Sequence, residues 1–322
     1  DIKGTSIQVL SSDPSNPVLG QIWYNTTSQN LKGSELAAAS WATSGNMGTA
    51  RYQLGSAGTQ TAGLAFGGQS GPPGLANTEE YNGSAWTGGG NLNNGRKFIS
   101  GTGTQTAGLA IGGQPYSPTG FVEEYDGSSW TNATQLGTPR SRLAGAGIQT
   151  AALAIAGFNS TTPAGLNVSE EYDGSSWTNG GNLTTARRAL GGCGTQTAAL
   201  GFGGYGPGST RSTATEEYDG SSWTNGGNLN AGRFELAGAG TQTAAVAFGG
   251  NQDPPTSMAN TELYDGTSWT TSTNLNEGRL GLGGAGTQAA AVGFGGQKPA
   301  GVLNSTEEFT GPGPTTVTLS GS

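Results

Sequence analysis

The stretch "EEYDGSSWTNGGNL" at 170–183 returns letter for letter at 216–229, 46 residues later. A repeat that tight marks either an active centre copied several times or a structural unit that stacks on itself. The spacing of other residues decides for the second. Trp41, Trp86, Trp130, Trp177, Trp223 and Trp269 are separated by 45, 44, 47, 46 and 46 residues, and Gln60, Gln105, Gln149, Gln196, Gln242 and Gln288 repeat the same five intervals. Ten residues after each of these Trp stands an Arg: Arg51, Arg96, Arg140, Arg187, Arg233 and Arg279. Three markers in one register define a unit that occurs six times.

Each unit reads as four short strands. "LAGAG" (236–240) is followed by a "TQT" turn, by the alternating run "AAVAFGG" (244–250), by a Pro/Gly-rich loop, by "TELYDG" (261–266) and by "SWTTSTNL" (268–275). β-prone runs divided by turn residues at regular spacing predict an all-β chain, and Asp-Gly is a strong hairpin signal between the last two strands. Large residues alternate with small in the second strand (Val246 and Phe248, Leu200 and Phe202), which lets one sheet nest on the next. The first strands are nearly all small, as a crowded central position requires. Cys193 holds the slot of Ala57, Ala146, Ala239 and Ala285 and reads as a packed small residue rather than a reactive thiol.

At these residues the chain resembles the kelch family of β-propellers. The resemblance rests on a Gly-Gly doublet closing the second strand, at Gly67, Gly112, Gly203, Gly249 and Gly295, and on a Tyr followed by a Trp across a hairpin; Ala156-Gly157 departs from the doublet. It covers about 34–310. The expected fold is therefore a six-bladed kelch-like β-propeller, all-β, with four antiparallel strands per blade. "SWATSGNMGTAR" (40–51) is a fourth strand with no first three before it, and the last unit ends at "TEEF" (306–309) without its Trp strand. The N-terminal strand is expected to close the last blade as one strand plus three, removing an open edge. The domains expected are an N-terminal β-hairpin or attachment segment (1–33), the propeller (34–310) and a C-terminal tail (311–322).

Composition bounds the function. Net charge is −8 with scattered Arg, which argues against nucleic acid, and no apolar run is long enough to insert in a membrane. No signal-peptide pattern is visible, and because the chain opens on Asp1 rather than Met, a segment is expected to precede it or to have been removed. There is no His, which removes the commonest general base, the commonest metal ligand and every Ser-His or Cys-His mechanism. Oxidases of kelch architecture use His ligands for copper, so that role is excluded too. The "DGSSW" hairpin is similar to the Asp-box of sialidases but is one residue too short between Asp and Trp. Asp126, Asp173, Asp219 and Asp265 each stand beside Gly and Ser without the carboxylate cluster of a Ca²⁺ site, so they read as turn residues. No metal or cofactor is expected.

Paired acids need more care. Glu79, Glu123, Glu170, Glu216, Glu262 and Glu307 recur in all six units, whereas the acid after them gives way once to Leu263. Neighbours on a strand face opposite ways, so the two cannot share a role. The first set is expected to pair with Arg51, Arg96, Arg140, Arg187, Arg233 and Arg279 as partly buried, bidentate scaffold contacts, and the second to be exposed. A carboxylate pair for glycoside hydrolysis is the rival reading; catalytic centres are singular and these contacts come six times. An enzyme is not expected.

The repeats differ most in the loop between second and third strands, such as "QPYSPTGFV" (114–122), "FNSTTPAGLN" (158–167) and "YGPGSTRSTA" (205–214). Variable loops on a rigid frame present recognition surfaces. Tyr116, Phe121, Phe158, Tyr205 and Arg211 are the candidate binding residues, since aromatic faces suit sugars and protein hot spots. Residues 20–33, "GQIWYNTTSQNLKG", alternate and turn like one hairpin, and resemble hairpins of bacteriophage tail-fibre and other virion proteins. The regular repeat is likewise similar to kelch-like proteins carried by marine phages. That resemblance implies a virion protein, a tail fibre or decoration, with other virion proteins or a host-surface glycan or protein as partners, located on the virion or outside the cell. A homo-oligomer is compatible with it. A secreted or surface-anchored bacterial adhesin or filament subunit is the alternative.

Overall fold

A computed structural model describes residues 7–253 and 256–319. The chain is all-β, built of four-stranded sheets, and it divides into two compact units, Asp1–Ser40 with Thr310–Ser322, and Trp41–Phe309. In the first unit Ile22–Asn25 and Asn30–Ala37 form an antiparallel hairpin, Gln8–Leu10 runs parallel to the former, and Gly313–Thr318 pairs antiparallel with the latter. Residues 34–40, grouped with the repeats on sequence grounds, fall in the same compact unit as the N-terminal segment, and in the tail Gly313–Thr318 is a strand. Trp23 is buried here, and Asp13 Oδ1 accepts both its indole N–H at 3.0 Å and the Asn25 amide at 2.6 Å.

The second unit holds six four-stranded sheets among the described residues. The first comprises Gly55–Thr59, Ala62–Phe66, Thr78–Tyr81 and Trp86–Gly88; the second, Ser100–Gly103, Gly108–Ile111, Val122–Tyr125 and Trp130–Ala133. The third comprises Ala144–Ile148, Ala151–Asn159, Thr162–Tyr172 and Trp177–Asn179; the fourth, Gly191–Thr195, Ala198–Phe202, Thr215–Tyr218 and Trp223–Asn225. The fifth comprises Ala237–Thr241, Ala244–Phe248, Thr261–Tyr264 and Trp269–Ser272. In the sixth, Gly283–Gly286, Ala290–Phe294 and Thr306–Thr310 are joined by Ser40–Ser44 from far earlier in the chain. Such sheets are consistent with a propeller-like β fold. One loop expected from the sequence, 158–167, is largely β-ribbon instead: the second and third strands of the third sheet run on past a bulge at Ala156-Gly157. Ala156 takes the left-handed φ of 55° that a glycine supplies at Gly203 (66°) and its equivalents.

Neighbouring sheets are joined by the repeated side chains. Each turn Gln donates through Nε2 to two carbonyls of the preceding sheet, as Gln196 does to Ala152 at 3.0 Å and Tyr172 at 2.7 Å. Gln60 makes the same pair of bonds to Ala291 and Phe309 of the sixth sheet, at 3.0 and 2.7 Å. The Trp indoles donate backwards too, Trp269 to Thr215 and Trp86 to Thr306. Trp177 departs because its partner position is Val122, which has no hydroxyl, and it bonds the Thr134 carbonyl. The large second-strand residues fill the gaps between sheets: Phe202 meets Trp269 with ring centroids 5.1 Å apart, and Phe248 meets Trp41 at 4.9 Å.

The six recurrent Glu and Arg sit together inside their own sheets. Arg51–Glu79, Arg140–Glu170, Arg187–Glu216, Arg233–Glu262 and Arg279–Glu307 are 2.5–3.1 Å apart, and Arg96 contacts Glu123 in the same way. They are buried rather than partly buried, and the carboxylate is shared rather than gripped by one guanidinium fork. Oε1 takes the Arg; Oε2 takes a backbone N–H of the crossover entering the sheet, Thr184 for Glu216 at 2.6 Å and Asn230 for Glu262 at 2.7 Å. The pair thereby satisfies donors that the crossover would otherwise leave orphaned. The second acids are not idle either. Tyr125, Tyr172, Tyr218 and Tyr264 donate their hydroxyls to Glu80, Glu124, Glu171 and Glu217 of the preceding sheet, and Tyr81 does so to Glu308.

Candidate functional site

Two residues after each repeated Arg, and two before the first strand begins, stands a residue held left-handed: Gln53, Phe98, Arg142, Ala189 and Glu235 at φ 52–55°, and Gly281 at 61°. That conformation costs a non-glycine residue on the order of 1–3 kcal/mol, and it is kept at five of six positions. The backbone gives the reason. Phe98 N donates to Gln53 O, Arg142 to Phe98, Ala189 to Arg142, Glu235 to Ala189, Gly281 to Glu235 and Gln53 back to Gly281, at 2.6–2.9 Å. The six hydrogen bonds make a closed cycle. In this left-handed conformation each amide donates to the preceding sheet.

This annulus rims a cavity of about 250 Å³ whose walls are the first strands of all six sheets. The walls are uniform and small; the rim is neither. Gln53 Nε2 donates to Glu235 Oε1 at 2.9 Å, across the cycle, and Arg142 reaches the same carboxylate at 4.0 Å. Arg142 lies 3.8 Å over the Phe98 ring. Gln53 in turn accepts from Gln69 at 2.8 Å, and Gln69 from Lys97 at 2.9 Å. Burial pushes the Glu235 carboxyl above the usual range, against the pull of Arg142 and Gln53. A cluster of long polar side chains thus stands at one end of a small-walled cavity.

Beside the rim a second recess, of about 200 Å³, is lined by Gln114, Arg142, Phe158 and Arg188. Here the candidates read from the sequence come together in part. Phe158 and Tyr205 directly follow the closing doublets and bridge to Ser141 and Arg188, while Arg211 bridges to Tyr205. The Arg188 guanidinium sits 5.3 Å from the Phe158 ring and 5.5 Å from that of Tyr205, and Tyr205 meets Phe234 at 4.2 Å. Tyr116, 88% exposed, and Phe121, half-buried with its carbonyl accepting the Gly112 amide, do not line the recess.

The rim residues themselves were not singled out from the sequence. The signal lies in the repeat: two places after the invariant Arg come Gln, Phe, Arg, Ala, Glu and Gly, the most varied chemistry beside the most constant backbone. Charge adds to it. Of nine Arg, six are spent in the buried pairs; Arg142, Arg188 and Arg211, with Lys97, all belong to this end of the second, third and fourth repeats.

Elsewhere the acids serve turns. Asp126 Oδ1 accepts from Ser128 N, Ser128 Oγ and Ser129 N, all at 2.8 Å, and these bonds, the Ser128 hydroxyl first, hold its carboxyl down at about 2. Asn82 does the same work in the first sheet without a charge. Among the described residues no three His, Cys, Asp or Glu gather to hold a metal, and no helix is long and apolar enough to cross a membrane. Neither a scan of protein-family models nor a search of curated proteins gives a match to the chain.

Proposed function

We propose that the chain is a non-enzymatic binding protein: a six-bladed, kelch-like β-propeller, closed by Ser40–Ser44, that presents its rim and loops to a host-surface glycan or protein. The observation that carries the ring is the closed cycle of backbone bonds from Gln53 round to Gly281, which needs six sheets in cyclic order and the first beside the sixth. The Gln60 bonds to Ala291 and Phe309 favour the same closure. The case for binding is the contrast between repeated residues, all occupied with one another, and the single end where side chains vary, strain is held and cations and aromatics collect.

A phage virion, in a tail fibre or decoration, is the setting we favour. The first unit exposes Val9 (66%), Val18 (72%), Leu19 (56%) and Leu36 (60%), a surface of the kind that assemblies cover. Replacing 206–214 by 298–304, with Tyr205 kept, tests the binding end. We expect binding to host cells or partner to be lost while the melting temperature moves by a few degrees at most, because loops contribute few buried contacts. Binding that survives every loop swap and follows residues 1–33 would overturn the reading. Co-purification with phage particles, rather than with a bacterial surface, separates the virion from an adhesin.

A further inference from the structure

We infer that the recess formed by Gln114, Arg142, Phe158 and Arg188 binds the carboxylate-bearing ring of an acidic sugar. The inference rests on the recognition reading above and gives it a ligand class. At about 200 Å³ the recess falls below the ~300–1,000 Å³ of pockets that take drug-sized ligands, so a single ring or substituent is what it admits.

Two guanidinium groups face this small space. Arg142 is fixed in place by its stack on Phe98 and by Glu235 behind it, leaving its side chain 29% exposed. Arg188 enters from the next repeat, beside the Phe158 and Tyr205 rings. Burial lowers the Arg142 pKa first, Glu235 opposes this, and repulsion from Arg188 lowers it further, so the two cations are close enough to feel each other. Guanidinium groups take planar carboxylates through paired N–H donors, and Arg held on an aromatic face loses little freedom in doing so. Phe158 offers the apolar wall on which the C–H face of a sugar ring rests, and Gln114, whose Oε1 already accepts from Ser141 at 3.0 Å, has amide hydrogens for a ring hydroxyl. An acidic peptide would present the same carboxylate, but its backbone gains nothing from a walled recess of this size.

The test is calorimetric titration of the full chain with trigalacturonate, galactotriose and a triglutamate peptide. We expect trigalacturonate to bind, with an affinity that falls as salt is raised from 50 to 500 mM, and galactotriose to bind at least ~10-fold more weakly. Arg188→Gln should weaken trigalacturonate ~10-fold or more, Arg188→Lys less, and Phe158→Ala should weaken it too, with thermal melts confirming that each variant is folded. Equal affinity for galactotriose, or a folded Arg188→Gln that binds trigalacturonate unchanged, overturns the inference. So does preference for triglutamate, and so does absence of binding by all three. In those cases the loop-swap assay on host cells still decides the broader recognition reading, so the two can fail separately.

Discussion

Glu216 makes three contacts with its two oxygens: Arg187 at 2.8 Å on Oε1, and the Thr184 amide and the Thr184 hydroxyl on Oε2. Both charges are out of water, so removing one leaves the other buried and unpaired. We expect Glu216→Gln or Arg187→Met to cost on the order of 3–5 kcal/mol in chemical denaturation. A loss under about half a kcal/mol, the range of ordinary surface changes, would show that these pairs are decoration. The sequence disclosed which residues pair, because both recur six times. It did not disclose that the carboxylate also serves the crossover amides, since a backbone donor leaves no mark in side-chain spacing. The second acid was misread for a related reason. Its partner is a Tyr one repeat away, and the clue was a paired exception: Leu263 is the one repeat without that acid, and Phe309 is the one without the Tyr hydroxyl, in the sheet that follows. Losing donor and acceptor together leaves nothing unsatisfied.

At the scale of strands and sheets, those Tyr hydroxyls clamp the third strand of one sheet to the third of the one before. Burial, and after it the bond to the neighbouring carboxylate, pushes Tyr81, Tyr125, Tyr218 and Tyr264 up to about 12, and Tyr172 is raised as well. A free phenol ionises near 10, so the unfolded chain gives up these protons first. The stability that these residues contribute is therefore fully present below about pH 10 and is lost as pH rises from about 10 to 12. Ultraviolet titration of the native protein should show these phenols ionising late or together with unfolding, and Tyr264→Phe should remove one of them. Native phenolate formation near pH 10 with no loss of structure would contradict the clamp. Strand order was legible from the 2-residue alternation and the Asp-Gly turns. The ribbon that replaces loop 158–167 was not, because its Thr, Pro and Gly read as loop residues and only the bulge at Ala156-Gly157 lets pairing continue.

Across the whole molecule, closure is the deciding feature. From the sequence, closure was an argument about missing strands: a Trp strand too many at one end and one too few at the other. In the structure Ser40–Ser44 lies in the same sheet as Thr306–Thr310, and Ser56 Oγ donates to Gly284 O at 2.9 Å between the first and sixth sheets. The rim stayed hidden because nothing in its residue types repeats; only the backbone does. Its cycle supplies the most direct measurement. Native-state hydrogen exchange, resolved at the amides of Gln53, Phe98, Arg142, Ala189, Glu235 and Gly281, compares the bond that joins first sheet to sixth with the five that join sequence neighbours. In a closed six-sheet ring no link is weaker for being remote in sequence, so all six amides should exchange through one common opening with similar protection. A Gln53 amide that exchanges orders of magnitude faster than the other five would mean that the ring is open between Gln53 and Gly281, and the account of this fold would be wrong.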